Sequence, residues 1–185
     1  MKTKTFKAPM EIKADGKPGE FRAIFSTFNT IDKDGDVTLP GAFKDGAAVR
    51  ISYWSHRWQD LPVGRGVIHQ DDKKAWVDGE FFMEATAANQ TYLTVKALGD
   101  LQEWSYGYDV LKSEFGKYQD RDVRFLKELD VIEVSPVLLG AGIDTRTDSI
   151  KGAADEKGQT GDGEPSNPTP QVVAAGIEIQ ILEED

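Results

Sequence analysis

Hydrophobic and polar positions along the chain change period several times, and those changes divide it into elements. Residues 20–29, EFRAIFSTFN, alternate and are rich in Phe, Ile and Thr, which predicts a β-strand. The following IDKDGDVTLPGAF is dense in Asp and Gly and predicts a turn. A short apolar and aromatic run, ISYWSH, covers 51–56. VGRGVIHQ and AWVDGEFFM then flank Asp71-Asp72-Lys73-Lys74, predicting two antiparallel strands joined by a polar turn. Over 85–101 the period changes. Ala85, Ala88, Tyr92, Val95 and Leu98 recur every three or four residues, the spacing of a helix, with Gly99 at its fraying end. EWSYGYDVL predicts a short strand entered directly from that helix. RDVRFLKELDVIEVSPVLLGAGI predicts a longer run of strand, interrupted near Lys127-Glu128 and stopped between Pro136 and Gly142.

Beyond residue 150 the pattern collapses. KGAADEKGQTGDGEPSNPTPQ, 151–171, has no aromatic or β-branched apolar residue with which to offset ordering entropy, and predicts a flexible acidic linker. VVAAGIEIQILEED, 172–185, is a short apolar segment ending in acids, suited to adding a strand to a sheet edge. The chain is therefore expected to hold one domain over roughly 15–150, predominantly β with one helix. No internal repeat is evident.

Composition narrows the chemistry. The 185 residues include no cysteine, which excludes disulfides, thiolate nucleophiles and Cys-based zinc sites. His56 and His69 are the two histidines, and they lack the spacing that would place a zinc pair on a helix. A net charge of −10 disfavours general nucleic-acid binding. No apolar run is long enough to span a membrane. The basic N-terminus lacks a signal-peptide core, so action in a cytoplasm is expected. Asp32, Asp34 and Asp36 resemble the start of a calcium loop, but Phe43 stands where such a loop needs its closing Glu. An Asx-type turn is the better reading.

Three residues carry candidate chemistry. Ser105 lies in Trp104-Ser105-Tyr106-Gly107-Tyr108, where alternation puts Ser105, Gly107 and Asp109 on one face. A strand Gly there would leave room for an acyl substrate, although read alone Ser105 is an ordinary strand serine. His56 follows an aromatic run and could serve as a general base, or sit half-buried against backbone. Glu133 is the one charge in an apolar stretch from Val131 to Ile143 and must find a partner. That partner is either a histidine that it orients or an arginine such as Arg124 or Arg65.

FSTFNTIDKDGDVTLPGAF, WSHRWQDLPVGRG, WSYGYDV and LDVIEVSPVLLGAG occur in an order and at gaps that resemble the prohead serine proteases of tailed bacteriophages, over about residues 20–145. The resemblance implies an α+β, predominantly β domain, here residues 1–150. Its core would be a β-barrel with surrounding helices, similar to the herpesvirus assemblins. It implies a serine endopeptidase, without cofactor or metal, acting in the assembling prohead of a bacterial host cytoplasm. Its substrates would be the scaffolding region of the major capsid protein, other prohead proteins and itself. It also implies a homodimer or higher oligomer, with neither nucleic acid nor membrane as partner. By motif, His56 takes the base position, Ser105 the nucleophile position and Glu133 the third position, with His69 as a rival for the third. Gly140, Ala141 and Gly142 are candidate oxyanion donors, with Arg146 nearby. A non-enzymatic capsid- or scaffold-binding protein that keeps the same fold is the alternative.

Overall fold

A computed structural model of the chain describes residues 10–13 and 16–152. The strands are β1 (Glu11–Lys13), β2 (Glu20–Thr27), β3 (Asp36–Thr38), β4 (Ala48–Ile51), β5 (Gly64–Gln70), β6 (Lys74–Phe81), β7 (Glu103–Tyr118), β8 (Arg121–Val137) and β9 (Arg146–Lys151). The helix α1 (Thr86–Leu98) runs into a 3₁₀ turn, Gly99–Leu101, between β6 and β7. All nine strands belong to one mixed sheet in the order β1-β9-β2-β6-β5-β4-β8-β3, with β7 added on β8.

The predicted strand at 20–29, the 63–83 hairpin and the helix all form close to their expected bounds. Each has a local cause. β2 buries Phe21, Ala23, Ile24 and Phe25 completely or nearly so. The β5–β6 turn closes on Asp71, whose Oδ1 accepts the amides of Lys73 at 2.7 Å and Lys74 at 2.9 Å. In α1 the buried residues are Ala88, Thr91, Tyr92 and Val95, one face at helical spacing. The Tyr92 hydroxyl donates to the Lys151 carbonyl at 3.0 Å, tying that face to β9.

β7 and β8 depart most from expectation. The short strand predicted at EWSYGYDVL extends to 16 residues, and its partner has 17. The interruption expected near Lys127-Glu128 is a bulge. Lys112 pairs with Glu128 and Ser113 with Leu126, so Lys127 is passed over and the strand continues. Two hydrophilic residues in succession look like a break in sequence but cost nothing where one is an extra, outward residue. The strand β9 lies past the point where the sequence pattern was expected to stop.

The barrel implied by resemblance is not present. The sheet order begins at β1 and ends at β3, each three residues long, and no pairing joins them among the described residues. One α-helix, rather than several, stands beside the sheet in the described residues. The core is aromatic. Trp104 is fully buried, stacks on Phe21 at 5.0 Å and donates from Nε1 to Thr147 at 2.9 Å. Phe25, Phe43 and Tyr106 meet edge-to-face at 5.2–5.3 Å. Burial pushes the Tyr106 hydroxyl well above the usual tyrosine range. The segments read as a linker (151–171, from 153 onward) and an apolar tail (172–185) lie outside the described residues.

Candidate active site

The antiparallel register of β7 on β8 sets Ser105 opposite Ser135 and Gly107 opposite Glu133. Directly opposed residues share a face, so these four form one cluster. A register shift between Gly107 and Tyr108 passes over Ile132, placing a bulge immediately before Glu133. Bulges re-aim the side chains beside them.

His56 reaches this cluster from the loop after β4. β4 pairs in parallel with β8, Ile51 opposite Val134. The loop then keeps to β8, with Ser52 N–H donating to the Val134 carbonyl and Ser55 N–H to that of Pro136, both at 3.0 Å. Ser55 and His56 both hold φ near +57°. Left-handed backbone at two successive non-glycine residues costs on the order of 1–3 kcal/mol each, and persists where surrounding bonds enforce it. Here the strain delivers the imidazole over Glu133.

His56 Nδ1 lies 2.6 Å from Glu133 Oε1 and 3.2 Å from Ser135 Oγ. Glu133 is 3% exposed and Ser135 fully buried, while the His56 side chain is about one-third exposed. A carboxylate only accepts, so this contact places the proton on Nδ1 and leaves Nε2 as the free, basic nitrogen. The arginine alternatives for Glu133 are otherwise engaged. Arg124 binds Asp36, with Nε 3.0 Å from Oδ1, and Arg65 Nε binds Glu80 at 2.7 Å. His69, the rival third member, sits on β5 between Asp45 and Asp78, 3.5 and 3.8 Å away, with its ring against Trp76. It does not join the cluster.

Ser105 and His56 line one cleft of about 350 Å³, walled also by Asp32, Thr38, Tyr106 and the 139–143 loop. The Ser105 hydroxyl forms no hydrogen bond with His56 in this free state; such contacts often tighten only when substrate is bound. The expected empty space at Gly107 is occupied. A Cβ there would lie 2.7 Å from Glu133 Oε1 and 2.6 Å from Trp58 Cζ2, so this glycine admits the carboxylate and the indole rather than substrate.

The Gly140-Ala141-Gly142 segment does lie against Ser105. A Cβ at Gly140 would be 3.7 Å from that of Ser105 and 3.0 Å from the Trp104 carbonyl. The loop is pinned from two sides. Lys33 donates from Nζ to the Gly140 carbonyl at 2.5 Å and from its amide to the Ala141 carbonyl at 3.0 Å. Glu103 accepts the Gly140 N–H at 2.9 Å. The Gly140 amide is thus committed. Arg146 turns to the Asp144 carbonyl at 3.2 Å and lies 3.9 Å from Asp148. On the opposite wall, Asp32 Oδ1 accepts the amides of Asp34 at 2.9 Å and Asp36 at 2.8 Å, the Asx-type turn expected there. Burial raises the Asp32 carboxyl, against the pull of those two amides.

Ser135, Lys33 and Glu103 were not singled out from sequence. The i, i+2 spacing of Glu133 and Ser135 on a strand was the available signal for the first. Nothing local signals the other two.

An imidazole gripped by a buried carboxylate, on the wall of a cleft that also presents a serine, is an arrangement that serine hydrolases use. The chain belongs to the caudovirus prohead serine protease family, whose model matches residues 8–159. It is 31% identical over 121 residues to the prohead protease of Enterobacteria phage HK97, covering 62% of this chain and 53% of that protein. The chain thus spans about half the length of that curated relative. No solved structure matches it.

Proposed function

We propose that the chain is a serine endopeptidase of capsid maturation. The observation that carries this reading is the 2.6 Å contact between His56 Nδ1 and the buried Glu133, in a cleft shared with Ser105. In the proposed reaction, His56 Nε2 takes the proton of Ser105 as its oxygen attacks the scissile carbonyl. The tetrahedral intermediate collapses to an acyl-enzyme, and the proton passes from His56 to the departing amine. Water, deprotonated by the same nitrogen, then releases the acyl group and regenerates Ser105. Glu133 holds the tautomer and stabilises the imidazolium; Ser135 supports it from the other side of Nδ1. With the Gly140 amide committed to Glu103, the Ala141 and Gly142 amides are the proposed oxyanion donors.

Membership of the prohead protease family supports substrates among prohead proteins. We assign the scaffolding region of the major capsid protein, and the protease itself, as targets. The place of action is the assembling prohead in the host cytoplasm. Residues 1–150 carry the activity in this reading.

Co-expression with capsid precursor tests it. Ser105→Ala is expected to melt as the parent chain does, to abolish processing and to lose labelling by a serine-directed fluorophosphonate. Continued precursor cleavage by that variant would overturn the assignment.

A further inference from the structure

We propose that two copies of this chain associate along β7, antiparallel, about a two-fold axis through Ser113. β7 is hydrogen-bonded on one side, to β8, and pairs with no other strand among the described residues. Every residue from Asp109 to Phe115 is exposed. Among them are three large apolar side chains, Val110 at 41%, Leu111 at 61% and Phe115 at 80%. A long, apolar, unpaired edge is a template for another strand, and proteins ordinarily cover or blunt it.

The sequence along that edge is self-complementary. In an antiparallel pair about a two-fold axis, residues equidistant from the axis face each other. With the axis at Ser113, Lys112 faces Glu114 and Asp109 faces Lys117, each a pair of opposite charges. Leu111 faces Phe115, and Val110 faces Gly116. Moving the axis by one residue destroys this. At Lys112 it sets Asp109 against Phe115 and Val110 against Glu114; at Glu114 it sets Leu111 against Lys117. Cross-strand pairs of opposite charge, and of aliphatic with aromatic side chains, are the units that stabilise sheets and fix register.

The partner strand already suits this use. Leu111 is the residue passed over in the pairing of β7 with β8, so its side chain has no opposite number within its own sheet. Glu114 is hydrogen-bonded to Lys127, which holds its carboxyl below the usual range. A second copy's Lys112 would complete a Lys–Glu–Lys group. The contact is isologous and uses the same edge of both chains, so it closes at two and does not propagate. It neither requires nor follows from the protease assignment.

The absence of cysteine makes the test direct. Residues on the axis of an antiparallel pair have Cα atoms about 4.5–5.5 Å apart, inside the range a disulfide spans. Sedimentation of the full chain is expected to show a reversible monomer–dimer equilibrium. Under glutathione disulfide, Ser113→Cys should become a covalent dimer much faster than Lys73→Cys, an exposed turn control. Lys112→Glu and Glu114→Lys should each weaken dimerisation on the order of tenfold, and the double exchange K112E/E114K should restore it. Thermal melts of each variant check that the fold is kept. A chain that stays monomeric at about 100 µM, a Kd in the weak range, overturns the proposal. So does a dimer whose Kd ignores both charge exchanges, or a Ser113→Cys variant that cross-links no faster than the control.

Discussion

Gly107 shows how a single missing methyl can shape a site. Its vacant Cβ position is filled by one oxygen of Glu133 and by the Trp58 indole. Gly107→Ala must therefore push the carboxylate away from His56 or expel the indole. Peptidase activity is expected to fall on the order of 10²-fold, as misplacement by an ångström can do, in a chain that still folds. Glu133→Gln tests the charge itself, because the amide oxygen can still accept from Nδ1. It should lower kcat by as much as ~10⁴-fold with KM little changed, read by steady-state cleavage of a peptide. At this scale the sequence was partly legible. A lone carboxylate in an apolar run demanded a partner, and geometry chose His56 over Arg124 and Arg65. The purpose of Gly107 was not legible, because what fills it comes from a different loop.

Elements read from period were correct where one face alone decides them. α1 and the β5–β6 hairpin have simple amphipathic patterns and local turn chemistry, so no distant partner was needed to find them. β7 and β8 were underestimated because bulges at Leu111 and Lys127 break alternation without ending the strands. The hairpin also carries a pH signature. The Lys73 amide bond is the largest influence lowering the Asp71 carboxyl below the usual range, with burial opposing it weakly and the Lys74 amide and both lysine charges assisting. A carboxyl depressed in the folded state adds stability above its unfolded pKa of about 3.9 and loses it as pH falls through the folded value. Asp71→Asn keeps an acceptor but no charge. Its melting temperature should lie a few degrees below that of the parent at pH 7. The gap should narrow as the pH is taken below about 4. The 139–143 loop depends on another element, since Lys33 in the β2–β3 turn and Glu103 at the start of β7 hold it. Lys33→Ala should leave the melting temperature nearly unchanged, because the side chain is partly exposed, while reducing the rate of acylation measured with a fluorophosphonate.

At the scale of the whole molecule, the strand that the sequence pattern did not foresee ties the rest together. β9 lies between β1 and β2, with Phe21 opposite Ile150, and Ile150 is fully buried. Thr147 accepts the Trp104 indole N–H, and Thr145 accepts the Trp104 amide at 3.2 Å. Trp104 precedes Ser105, so the backbone of the proposed nucleophile is set by residues more than forty positions downstream. Pairings this distant in sequence charge their loop-closure entropy before any burial offsets it, which makes folding slow and dependent on the last strand. A chain ending at Asp144 would leave Trp104 without both threonines and β2 with an open edge. Truncating a buried tryptophan's surroundings in this way removes several kcal/mol, a large share of what a domain of this size holds. That chain is expected to show no cooperative thermal transition and no near-UV circular dichroism, and restoring residues 145–152 should recover both. A truncated chain that melts cooperatively near the parent temperature would show that β9 merely decorates the sheet.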